Sequence, residues 1–262
     1  MARSLATAEP LGPDTLTWKS FGDPRAYLLT VRTGLLQAMH PAVSAALVRE
    51  PGFFDDPWGN LLSATGPILG TVYEGPGSQR LGKAWRSLQP DVYYWAHATY
   101  FDSMLVGADL FGHPMTARQQ EEAYEESVRW YSMYGMSMRP VPPTLHTFRQ
   151  YWFHMLEEVI EPTEAVLAAL QPDAQLPAPD GLLRGSAWRV FKPGVKRLPV
   201  WIGVGLLPPE ARDRLGLEWS AAQERVLQGA FAGMRLTWPL VPMPFRQTAR
   251  SRRARRVVAR AV

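Results

Sequence analysis

Tyr93-Tyr94-Trp95-Ala96-His97-Ala98-Thr99-Tyr100-Phe101-Asp102 is the stretch on which the reading of this chain turns. It lies between Pro90, suited to a first helical turn, and Gly112, suited to the position just past a last one. On a helical period, Tyr93, Tyr94, Tyr100, Phe101, Met104 and Leu105 fall at three-, four-, seven- or eight-residue offsets from His97. The imidazole is therefore expected to point into an apolar, ring-rich interior, while Asp91, Asp102 and Asp109 lie on other faces or near the ends. A histidine so placed is either a core residue hydrogen-bonded to its neighbours or a ligand to something.

Outward from this run, helix signals dominate. Asp23-Pro24 is a cap followed by a first-turn proline and predicts a helix over 24–37, and His40-Pro41 opens another over 41–49. Asp56-Pro57 begins a third that runs to Val72, with a kink expected at Gly66-Pro67. Thr116 with Gln119 and Ser220 with Gln223 read as capping boxes, for helices over 117–135 and 221–237. Further helices are expected over 145–158, 162–170 and 208–216, and residues 171–185 read as a loop. Period-two alternation is scarce, so the fold class is all-α, about nine to eleven helices in one domain over 23–243. Residues 1–22 are expected as an irregular arm and 244–262 as an arginine-rich tail, which could be a basic helix.

Composition narrows the chemistry. Ten Trp, nine Tyr and ten Phe in 262 residues favour an interior, or a flat apolar ligand, built among rings. There is no cysteine, which excludes disulfides, thiolate metal sites, covalently attached c-type haem and thiolate-ligated haem. The seven arginines of residues 244–262 exceed the formal net charge of +4, so the rest of the chain is slightly acidic and the basic character belongs to the tail. No leader and no membrane span are evident, and the apolar run 198–207 is too short to cross a bilayer. The expectation is a cytoplasmic protein, peripheral at the membrane if the tail meets anionic lipid; nucleic acid is the less favoured partner.

Rival site patterns fail. Gly77-Ser78-Gln79-Arg80-Leu81-Gly82-Lys83 has the spacing of a phosphate loop, but Ala84 stands where the magnesium-binding hydroxyl is needed and no strand precedes it. No histidine follows a glutamate by three residues, as a di-iron bundle requires, and neither His-Glu-x-x-His nor Gly-x-Ser-x-Gly occurs. Glu121, Glu122, Glu125 and Glu126 read as mostly a solvated face. His97 then stands between two readings, a core histidine and a haem ligand. For the second, the run supplies one imidazole on a helix and rings for a flat macrocycle, and Arg80, Lys83 and Arg86 supply nearby cations for propionates.

Trp95-Ala96-His97-Ala98-Thr99, followed by Asp102, resembles the Trp-(Val/Ala)-His-Ala-Thr signature of the MpaB-type oxygenases, the family that includes the rubber oxygenase (latex clearing protein) catalytic domain. Leu35-Leu36-Gln37-Ala38-Met39-His40-Pro41-Ala42-Val43 is similar to its early His-Pro segment, and Asp56-Pro57-Trp58-Gly59 and Gly70-Thr71-Val72-Tyr73 to its next landmarks. Trp130-Tyr131 through Gly135, and Leu207-Pro208 through Trp219-Ser220, continue the likeness in the same order. The resemblance implies an all-α fold that holds b-type haem between helices, with His97 as proximal iron ligand and dioxygen as co-substrate. It implies oxidative cleavage of a double bond in an apolar, isoprenoid-like substrate, giving two carbonyl products. Tyr94, Tyr100 and Phe101 would pack near the macrocycle, His40 would be a second pocket residue or a structural one, and Arg80 and Lys83 would be the distal catalytic cations.

The chain departs from that pattern in one place. Relatives carry a Met-His and a glycine-containing segment between the arginine-rich helix and the signature, whereas here Trp85-Arg86-Ser87-Leu88-Gln89-Pro90-Asp91 leads straight into the central helix. Asn60 also stands where relatives have arginine. That segment would help form the distal side of the haem, so the alternative to an active oxygenase is a non-catalytic haem- or lipid-binding protein of the same fold.

Overall fold

The computed structural model describes residues 11–76, 88–176 and 197–261, and among these every regular element is helical. In chain order they are α1 (Leu16–Gly22), a 3₁₀ turn (Pro24–Leu29), α2 (Thr30–Ala38), α3 (Pro41–Leu47), α4 (Pro57–Leu62), α5 (Thr65–Glu74) and α6 (Pro90–Leu110). There follow α7 (Ala117–Ser132), α8 (Leu145–His154) running into a π-helical turn (Met155–Val159), and α9 (Glu164–Leu170). The last are α10 (Leu198–Gly205), α11 (Pro209–Arg214), α12 (Ala221–Thr237) and α13 (Ala249–Ala261). The all-α expectation holds.

Local chemistry fixes most of the ends. The two capping boxes form as read: Thr116 with Gln119 opens α7, and Ser220 with Gln223 opens α12. Gly75, Gly135 and Gly216 follow α5, α7 and α11 with φ of 77°, 70° and 63°, a backbone that other residues rarely adopt. Residues 57–74 divide at Ser63-Ala64, ahead of the expected kink at Gly66-Pro67. Pro67 falls in the first turn of α5, where a missing N–H leaves no bond unmade.

The N-terminal region corrects the sequence reading. Residues 16–22, expected as part of an irregular arm, form α1, and Trp18 is buried at its centre. A local cap starts it, Thr15 Oγ1 accepting the Trp18 N–H at 3.3 Å, and a long-range partner adds to it. The Glu126 carboxylate accepts the Leu16 and Thr17 N–H groups at 3.0 and 2.8 Å, placing an anion at the start of α1. Glu126 is accordingly buried rather than on the solvated face expected for the acidic set.

α6 is the axis of the fold. Its 21 residues span roughly 30 Å at the helical rise, and every side chain from Tyr93 to Phe101 is buried. α1, α2 and α7 pack against it. On the α2 side, Arg32 donates to Asp102 (2.5 Å), Ser103 (2.9 Å) and the Leu206 carbonyl (2.8 Å), and Trp95 donates to the Leu36 carbonyl (3.0 Å). α10 lies close on the far side of α2 because Gly203 lacks a side chain; a Cβ there would come within 2.3 Å of Val31 Cγ1. α6 has no basic residue in its own last turn. Arg235 of α12 and Arg25 donate instead to the Leu110 and Phe111 carbonyls, at 3.1 and 3.4 Å.

Candidate functional site

His97 is 1% exposed and sits where α6 faces α7. The ring centroids of Trp130, Tyr131, Tyr134 and Tyr94 surround it at 4.8, 5.2, 5.4 and 6.0 Å. Both of its nitrogens have hydroxyl partners: Nδ1 lies 3.0 Å from the Tyr134 hydroxyl and Nε2 lies 2.9 Å from Ser127 Oγ. Burial drives its pKa down to about 3, with the Ser127 contact opposing that shift. The imidazole is therefore neutral through the physiological range, with one N–H donor and one acceptor nitrogen shared between the two hydroxyls. Burial likewise holds the Tyr134 hydroxyl protonated far above its ordinary range. A neutral imidazole held this way is a poor proton shuttle and a competent donor to a metal.

A second polar layer lies one turn along α6. Gln37 of α2 donates to the Ala96 carbonyl at 3.2 Å and to Thr99 Oγ1 at 2.9 Å, and Tyr100 donates to Thr65 Oγ1 at 3.2 Å. Together these side chains bound a void of about 10 Å³, lined by His97, Tyr93, Tyr100, Tyr134, Gln37 and Ile68 among others. That is room for about one water molecule.

A much larger cavity, about 1340 Å³, lies on the other side of Tyr100. Its wall is largely apolar, with Phe21, Leu62, Leu69, Met104, Phe111 and Phe245 contributing, and Lys19, Arg250 and Arg252 are among its charged residues. Tyr100 lines both spaces.

The expected site residues divide accordingly. His97, Tyr94 and Tyr100 come together. Phe101, one turn past His97 on the same side of α6, packs edge-on against Tyr124 of α7 and Phe148 of α8, at 5.4 and 4.9 Å, and lines neither cavity. His40 serves as the N-cap of α3, its Nδ1 accepting the Ala42 N–H at 3.1 Å, and it lines neither cavity. Arg80, Lys83 and Arg86 lie outside the described residues, as do the 77–83 glycine loop and residues 85–87 of the shortened stretch. Among the described residues no three His, Asp or Glu side chains gather as a metal site. Ser127, Tyr134 and Gln37 went unread as partners of the His97 pocket. A signal existed: Ser127, Trp130, Tyr131 and Tyr134 recur at helical offsets and form one face directed at His97.

Comparison with known families matches residues 18–236 to the catalytic domain described as "ER-bound oxygenase mpaB/B'/Rubber oxygenase". Comparisons with curated proteins and with solved structures returned no match. The matched span covers most of the chain and holds α6, the His97 face of α7 and most of the lining of both cavities. By that match the chain belongs to the MpaB and rubber oxygenase catalytic-domain family.

Proposed function

We propose that this protein is a haem b-dependent oxygenase that acts with dioxygen on an unsaturated, apolar, isoprenoid-like substrate, and that His97 holds the iron. The observation that carries the reading is the state of His97: fully buried, neutral and ringed by aromatic side chains in a domain of an oxygenase family. The donor set suits haem iron, which takes a single neutral imidazole, with the second ring nitrogen left to a hydroxyl that fixes its orientation. Bound there, ferrous haem would supply dioxygen binding and activation. Tyr134 and Ser127 would orient the imidazole, one of them giving up its nitrogen on loading. The Trp130, Tyr131 and Tyr94 rings keep water from the imidazole. The large cavity suits an extended apolar chain, with Tyr100 standing between it and His97. Arg80 and Lys83 enter this reading from the sequence as the catalytic cations.

One observation favours the second reading, a haem- or lipid-binding protein without turnover, in its lipid-binding form: the void beside His97 takes only about one water and both ring nitrogens already have partners, whereas the large apolar cavity is open as it stands. Oxygen uptake separates the two. Haem-loaded protein given a polyprenoid should consume oxygen and form carbonyl products, while the saturated analogue gives none. Equal rates with both, or no uptake by loaded protein, would overturn the enzyme reading.

A further inference from the structure

The C-terminal region carries a surface that the His97 site does not use. Leu236, Leu240, Met243 and Phe245 are 79%, 82%, 65% and 69% exposed, and with Val257 and Val258 they make up half of the large apolar side chains exposed among the described residues. Such a concentration on one short segment marks a contact surface. Arginines are interleaved with it. Arg246 donates to the Val241 carbonyl at 2.6 Å and also to that of Pro239, and Arg252 donates to the Pro244 carbonyl. Their guanidinium groups therefore sit on the backbone of the same apolar knuckle. α13 adds Arg253, Arg256 and Arg260, which are exposed and make no ion pair among the described residues. The inner side of α13 is anchored to the body through buried Ser251 and through Arg250, which donates to the Gly66 carbonyl and faces Glu74 at 3.7 Å. Among the described residues nothing covers the outer side, where Arg253, Arg256, Val257 and Arg260 are exposed. Trp238, Pro244, Phe245, Arg250 and Arg252 also line the 1340 Å³ cavity, so the cavity reaches this surface.

From this arrangement we infer that residues 236–260 dock the protein on a bilayer containing anionic lipid, with the cavity adjoining the bilayer. The apolar side chains enter the interface between headgroups and acyl chains, and the arginines pair with lipid phosphates. No helix among the described residues is long and apolar enough to cross a membrane. Duplex nucleic acid would also meet the arginines but leaves the exposed leucines and Phe245 without a role. The attachment stands independently of the oxygenase reading, because its test measures binding and not turnover.

The test is co-sedimentation of the full chain with phosphatidylcholine vesicles, with and without phosphatidylglycerol. Binding is expected to need phosphatidylglycerol and to weaken as salt rises. Both L240S/F245S and R253Q/R256Q/R260Q, all surface changes, should weaken it by about tenfold or more while leaving the circular dichroism unchanged. Three outcomes would overturn the inference: binding that is the same without phosphatidylglycerol or in both variants; a duplex DNA fragment bound more tightly than vesicles and equally by L240S/F245S; or a stable dimer split by L240S/F245S with no vesicle binding, which would assign the face to a second copy of the chain.

Discussion

Two spaces meet at Tyr100, and they are built in opposite ways. On the His97 side, hydroxyls satisfy both ring nitrogens, rings fill the volume, and about 10 Å³ is left. On the other side about 1340 Å³ is open, walled by apolar side chains that are mostly only half-buried. A filled, hydrogen-bonded shell fixes one side chain in orientation and protonation state; a roomy apolar space selects a molecule by shape and hydrophobicity. On the function proposed above, the first region would hold the chemistry and the second the substrate.

Packing energetics give the largest expected effect. Trp130→Ala removes a side chain 1% exposed that donates to Thr71 Oγ1 and contacts the His97 ring, and should cost about 3–5 kcal/mol in urea unfolding. Leu69→Ala, in the wall of the large cavity and only half-buried, should cost less than about 2 kcal/mol. Similar losses at the two positions would erase the distinction between a filled and a roomy region.

The next effect is with pH. The folded pKa of His97, about 3, lies below its ordinary 6.5, so the unfolded chain takes up the proton first. The stability this group contributes is present in full above pH 6.5 and is lost as pH falls toward 3, with a slope of at most about 1.4 kcal/mol per pH unit. His97→Gln should flatten the stability profile in that window. An unchanged slope would mean that His97 is not desolvated as described.

A smaller loss is expected at the divide itself. Tyr100→Phe keeps the ring between the spaces and gives up the 3.2 Å bond to Thr65, for about 0.5–1.5 kcal/mol by thermal or urea unfolding. Asp91→Asn, away from both spaces, breaks an ion pair with Arg139 whose side chains are 59% and 75% exposed, and should cost under about 1 kcal/mol. A larger effect there would show that the α6 start depends on that pair.

Where the sequence was legible, the signals were local. Pro90, the capping boxes and the glycines past α5, α7 and α11 act within a few residues, so the helices they bound were readable one at a time. His97 could be placed in the interior by helical offsets alone. α1 carried a local signal that went unread, the Thr15 cap on the Trp18 N–H; its second support, the Glu126 carboxylate on the Leu16 and Thr17 N–H groups, comes from more than a hundred residues away and was not legible. Phe101 could be placed inside by offset, but its ring partners, Tyr124 and Phe148, come from other helices that no local signal on α6 names. Ser127 and Tyr134 were knowable as a helical face and not as partners, since nothing local aims α7 at α6.

The central claim, that His97 is the residue that holds the cofactor, is tested most directly by the absorption spectrum of haem-loaded full-length protein. A Soret band is expected in the wild type, lost in His97→Ala and restored to that variant by added imidazole, which also shows that the variant is folded. A band that persists unchanged in His97→Ala, or no band in haem-saturated wild type, would contradict the account.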